Sequence, residues 1–148
     1  LYFCMILDLF SRRVIGYRMS RNASTHLVTS TFRDAYQARG NPIGLTFHSD
    51  RGAQYTSATL TELLQKCGAK QSFSATARPH DNAVAESFFQ LLKRERIRRK
   101  TYLDREEARR DVFNYIEMFY NPRRRHNTAG DLSPVEFEKR YFQRLGSV

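Results

Sequence analysis

The chain has 148 residues, 41% of them hydrophobic and 27% charged, which suits one folded domain rather than a disordered chain. No apolar run approaches the roughly 20 residues that cross a bilayer, and two distant cysteines, Cys4 and Cys67, exclude a disulfide scaffold and fit a reducing cytoplasm. The formal charge is +10, with 20 Arg against 5 Lys, and both halves of the chain carry the excess. Arginine forks match phosphate oxygens. A polyanion partner, most simply nucleic acid, therefore competes with the blander reading of a solvated basic face.

The apolar run Leu1–Leu7 predicts a buried strand rather than a signal peptide, since no basic stretch precedes it. Asp8–Arg13 turns the chain and Val14–Met19 alternates as a second strand, giving an antiparallel hairpin. Ser24 caps a helix with Leu27, Val28, Thr31, Phe32, Ala35 and Tyr36 inward, and Gly40 ends it. A short strand, Leu45–Phe47, leads into His48-Ser49-Asp50-Arg51-Gly52. A helix from Ser57 to Cys67 and a strand Lys70–Phe73 follow, then a polar loop over 74–81. Long helices are predicted from Asn82 to Arg99 and from Asp104 to Tyr120, where Pro122 breaks the second. Ser133-Pro134-Val135-Glu136 forms a capping box that opens a last helix. The order of elements indicates a mixed sheet flanked by helices.

Asp50 falls just past the carboxyl end of a short strand, a place where α/β proteins carry chemistry. Gly52 eases the turn behind it. On its own, Asp50 reads rather as a turn residue bonding its own backbone. In the helix that follows, Val84, Phe88, Leu91 and Leu92 form an apolar stripe, while Glu86, Gln90 and Lys93 share the opposite face. Two carboxylates brought together can hold Mg²⁺ or Mn²⁺, which favour hard oxygen ligands. The cysteines and histidines lack zinc-site spacing, and no G-x-S-x-G elbow marks a serine hydrolase.

The segments LDLFSRRVIGY, HSDRGAQYTS, DNAVAESFFQLLKRE, YNPRRRH and LSPVEFE resemble, in that order, the catalytic core of bacterial insertion-sequence transposases. Within these, the resemblance is to the group whose core is similar to retroviral integrases. It covers Leu1 to about Phe137. It implies a ribonuclease-H-like α/β fold and a triad of two aspartates and a glutamate, with 35 residues between the last two. Here 35 residues separate Asp50 from Glu86. By resemblance Asp50 and Glu86 are catalytic and metal-binding carboxylates for two Mg²⁺ (or Mn²⁺) ions. Lys93, Asn82 and the adjacent Arg94 are expected to contact DNA, and Tyr120-Asn121 with Arg123–His126 either to contact DNA or to pack.

The family's first aspartate lies on a central strand upstream of the hairpin with which this chain opens. Residues 1–148 are therefore expected to be an amino-terminally truncated core lacking that strand, with 104–148 as its helical part. The family's hairpin-turn aspartate corresponds to Asp8, which makes Asp8 a weak substitute for the missing acid. The whole enzyme would act on transposon ends and target DNA as a homo-oligomer in the bacterial cytoplasm, away from membranes. The present chain alone is expected to be inactive. Rival readings are a related metal-dependent nuclease and a non-catalytic basic DNA-binding module.

Overall fold

A computed structural model describes residues 1–75 and 83–146. Strands β1 (Tyr2–Leu7) and β2 (Val14–Ser20) pair with each other. The six-residue link is far too short for a parallel crossover, so the pair is an antiparallel hairpin. In its turn the Asp8 amide donates to the Arg13 carbonyl at 2.8 Å, and Arg12 takes a left-handed conformation with φ 66°. Helix α1 (Thr25–Ala38) starts where Ser24 Oγ accepts from the Leu27 amide at 3.2 Å. Strand β3 (Thr46–Ser49), helix α2 (Ala58–Lys66) and strand β4 (Lys70–Phe73) make a parallel strand–helix–strand unit in the register Thr46 to Lys70 through Ser49 to Phe73.

The expected mixed sheet is thus present as two separate two-stranded pieces, β1–β2 and β3–β4. Each of β1 and β3 is paired on one side. One core joins the pieces: Cys4 of β1, Leu27, Val28 and Phe32 of α1, Phe47 of β3, and Leu60 and Leu64 of α2 form a single buried cluster. Gly16 of β2 is buried against α1, where a Cβ would meet Ala35 Cβ and the Thr31 carbonyl, each at 2.9 Å.

Helix α3 (Ala83–Glu95) ends earlier than predicted, at Arg96, and a 3₁₀ turn over Ile97–Arg99 follows. Helix α4 (Arg105–Asn114), capped by Asp104, runs into a π-helical stretch, Tyr115–Tyr120, and then the single turn α5 (Asn121–Arg123). Pro122 therefore does not stop the helix where expected. The wider turn accommodates a residue without an N–H: the Arg124 amide reaches back to the Phe119 carbonyl, five residues earlier, at 2.8 Å. Helix α6 (Pro134–Gly146) opens with Ser133 Oγ accepting from the Glu136 amide at 3.2 Å, as the capping box predicts.

The chain divides into two compact units. The first comprises Leu1–Ile6 and Ile15–Glu86, and the second Leu7–Val14 and Ser87–Val148. The second unit holds the hairpin turn by polar contacts. Ser11 Oγ donates to Glu138 at 2.5 Å, Arg13 pairs with the same carboxylate at 3.0 Å, and Tyr120 donates its hydroxyl to the Arg12 carbonyl at 2.9 Å. Its apolar centre includes Phe88, edge-on to Tyr120 at 4.9 Å, with Leu92, Val112, Tyr115 and Ile116 buried.

Candidate active site

Asp50 follows the last residue of β3 and is exposed. Its Oδ1 accepts the Gly52 amide at 2.7 Å, so the side chain does close a local turn. The Ser49 hydroxyl donates to the Asp50 backbone carbonyl at 2.9 Å, but among the described residues the Asp50 side chain has no further hydrogen bond, and one carboxylate oxygen is left for another partner. The role of Gly52 differs from the one expected. Its backbone is not left-handed; instead, a Cβ there would press on Asp50 Oδ1 at 3.0 Å and Gln54 Oε1 at 3.2 Å. Glycine keeps the space beside the carboxylate clear.

The strand ends around Asp50 are tied in several places. His48 lies opposite Ser72 in the parallel register, and its Nδ1 is 3.0 Å from Ser72 Oγ. Its Nε2 is 3.1 Å from Ser74 Oγ. The Ser74 amide donates to the Ser49 carbonyl at 2.8 Å, and Arg51 Nε donates to the Ser74 carbonyl at 3.3 Å. Arg51 also lies over the Phe73 ring, 5.6 Å from its centre. Behind the site, Gln71 donates to the Tyr55 carbonyl at 2.8 Å and accepts from Thr61 at 3.0 Å. Burial raises the pKa of the Tyr55 phenol, and the neighbouring Cys4 and Asp50 charges push it further the same way. The serines at 72 and 74, alternate positions on one face, become visible as partners of His48 once the register is known.

Glu86 sits in the first turn of α3, at the helix end whose dipole favours an anion. Glu86, Gln90 and Lys93 are exposed while Phe88 and Leu92 are buried, the division that the spacing predicts. Val84 and Leu91 are half-buried. Asp50 and Glu86 belong to the same compact unit. Among the described residues no three or more His, Cys, Asp or Glu side chains gather into a metal-holding group. The available donors are carboxylate oxygens, a set that suits Mg²⁺ or Mn²⁺ and not zinc. Asn82 lies outside the described residues.

Asp8 is a turn residue: its Oδ1 accepts the Phe10 amide at 2.8 Å and the Ser11 amide at 3.2 Å. The Tyr120-Asn121 segment packs. Asn121 grips Val14 through both of that residue's backbone groups, at 2.9 Å each, and Arg124 pairs with Glu95 at 3.0 Å. His126 meets the Tyr120 ring edge-on at 5.3 Å. Arg123 and Arg125 are exposed, as are Lys93 and Arg94.

This arrangement defines the class first: a ribonuclease-H-like α/β core of the integrase type. Solved structures of that architecture include the catalytic core domain of BIV integrase, with TM-score 0.64 and 17% identity over 96% of this chain and 89% of that one. The HTLV-2 integrase catalytic core domain in complex with magnesium gives TM-score 0.65 at 16% identity, over 91% and 84%. Two family models, both described as integrase core domain, match residues 1–79 and 86–142. The chain belongs to the integrase core domain family. It is 40% identical over 139 residues to the transposase for insertion sequence element IS904 of Lactococcus lactis, covering 94% of this chain and 55% of that protein. It is 41% identical over 140 residues to transposase InsF for insertion sequence IS3A of Escherichia coli, covering 95% and 49%. The chain thus spans about half the length of these relatives. Among the described residues no helix is long and apolar enough to cross a membrane.

Proposed function

We propose that this chain is part of a DNA transposase that cuts and joins phosphodiester bonds at transposon ends, with Asp50 and Glu86 as two of its catalytic carboxylates. The observation that carries the reading is the coincidence of family and spacing. A chain homologous to insertion-sequence transposases places an aspartate past β3 and a glutamate on α3 with 35 residues between them. The third acid would come from outside these 148 residues, because Asp8 matches the family's hairpin-turn aspartate and accepts the Phe10 and Ser11 amides there.

In this reading the free oxygen of Asp50 and the carboxylate of Glu86 hold divalent cations, and the Gly52 amide fixes the orientation of Asp50. Two Mg²⁺ ions, when bound, clamp the attacking and leaving oxygens of an in-line phosphoryl displacement. Lys93 and Arg94, exposed at the end of α3, bind phosphates of the end DNA, and Asn82 is a further DNA contact. The His48–Ser72–Ser74 contacts hold the strand ends so that Asp50 keeps its position. The whole protein acts on transposon ends and target DNA, as a homo-oligomer, in the cytoplasm at the nucleoid.

The test is to incubate the full-length protein with labelled end DNA, target DNA and Mg²⁺ and to separate the products. Joined strands are expected. Nicking without joining would make the protein a nuclease, and intact DNA that is nevertheless bound would leave a basic binding module.

A further inference from the structure

Eight consecutive positions, Lys93 to Lys100, contain six basic residues, and the structure divides them into two groups. Arg96 and Lys100 both donate to Oδ1 of Asp111, at 2.9 and 3.1 Å, while Tyr102 donates its hydroxyl to Oδ2 at 2.6 Å. Asp111 is buried on α4, so these three donors are what keep its charge tolerable there. The Arg96 guanidinium also lies over the Tyr115 ring, 5.4 Å from its centre. These contacts fix the residues on either side of the 3₁₀ turn Ile97–Arg99. The turn is pinned at both ends to the layer beneath it.

Within the pinned turn stand Arg98 and Arg99, both exposed and without an ion pair among the described residues. The acid of the segment, Glu95, cannot neutralise them, because Arg124 takes its Oε1 at 3.0 Å and Tyr115 its Oε2 at 2.9 Å. An ordinary solvated helix face interleaves acids at three or four residues from its bases. Here Glu95 and Asp111 are committed to inward partners, and adjacent guanidiniums are left exposed on a backbone that is already ordered. Such a pair loses little backbone freedom on meeting an anion, and its forks fit phosphate oxygens.

We propose that the Arg98–Arg99 turn is a second DNA contact, a phosphate-backbone spur held in place by Asp111 and distinct from Lys93 and Arg94. It rests on the transposase reading only in taking duplex DNA as the polyanion. Because the contact is to phosphate, it adds affinity without sequence preference.

The test uses the full-length protein and fluorescence anisotropy with two duplexes of equal length, one carrying the transposon end and one of arbitrary sequence, over a salt series. Replacing both residues, Arg98→Ala with Arg99→Ala, should weaken binding to both duplexes alike. It should also shrink the slope of log affinity against log salt by about two units, near 0.9 per phosphate contact. The urea midpoint should be unchanged, because both side chains are exposed. Arg98→Lys with Arg99→Lys should restore the slope. Arg18→Ala, which removes an arginine already paired with Asp34 at 2.6 Å, should leave it unaltered. An unchanged slope in the double alanine variant, or an equal drop from Arg18→Ala, would overturn the spur while leaving the transposase reading intact. A wild-type protein that binds neither duplex would overturn the transposase reading itself.

Discussion

At the residue scale, the side chains that matter most for integrity are polar and buried. Asp111 joins α4 to the segment after α3 through Arg96, Lys100 and Tyr102. Burial alone would raise its pKa, but the hydrogen bonds from Tyr102, Lys100 and Arg96 outweigh it and hold the carboxyl below its usual value. The Tyr102 phenol is pushed up to about 12, by burial first and then by its bond to this carboxylate. Asp111→Ala should cost about 1–3 kcal/mol, less than a fully buried pair because Arg96 and Lys100 are partly solvated. Urea unfolding measures it, and a midpoint equal to wild type would show the network to be ornamental. His126 offers a test by pH. Burial lowers its pKa, and the charges of Arg124 and Arg12 lower it further. A folded-state value below the unfolded one, near 6.5, means that the histidine contributes stability above that pH and loses it as the pH falls through and below it. His126→Phe keeps a ring against Tyr120 and removes the titration. Its urea midpoint should therefore fall less than that of wild type between about pH 7 and pH 5.

At the element scale, caps and stripes were legible in the sequence, while the ends of elements set by distant partners were not. Ser24, Ser57, Asp104 and Ser133 all accept the amide expected of a capping residue, because that bond spans three residues and needs nothing else. The end of α3 was hidden. The pattern continues past Glu95, but Glu95 and Arg96 are drawn to Arg124 and Asp111, partners at least 15 residues away. The π-helical stretch was hidden for the same reason, since Asn121 is placed by Val14. Gly16 inside β2 marks a close approach by α1, which the local sequence does not name. Gly16→Ala should destabilise by about 1–3 kcal/mol, because the new methyl meets a Cβ and a helix carbonyl rather than a flexible side-chain tip. A stabilised variant, as strand propensity alone would favour, would show that β2 and α1 have room to separate.

At the scale of the whole molecule, the architecture and the candidate acids were readable in the sequence. Motif spacing pointed to Asp50 and Glu86, and the structure puts one past β3 and the other on the first turn of α3. The pairing of β1 with β2 was readable from their short link, whereas the parallel pairing of β3 with β4 was not, because an apolar run does not name its neighbour. The basic excess has likewise been sorted by folding. Arg13, Arg96, Lys100 and Arg124 serve internal carboxylates, leaving Lys93, Arg94, Arg98 and Arg99 toward solvent.

We propose Asp50 and Glu86 as metal-holding carboxylates in DNA cleavage. The most direct measurement is Mg²⁺-dependent cleavage of transposon-end DNA by the full-length protein carrying Asp50→Asn or Glu86→Gln, with DNA affinity read in parallel. Each variant should bind the end DNA as tightly as wild type and cut it no faster than background, because an amide keeps the shape and removes the charge that holds the cation. Cleavage at the wild-type rate by either variant would contradict the assignment.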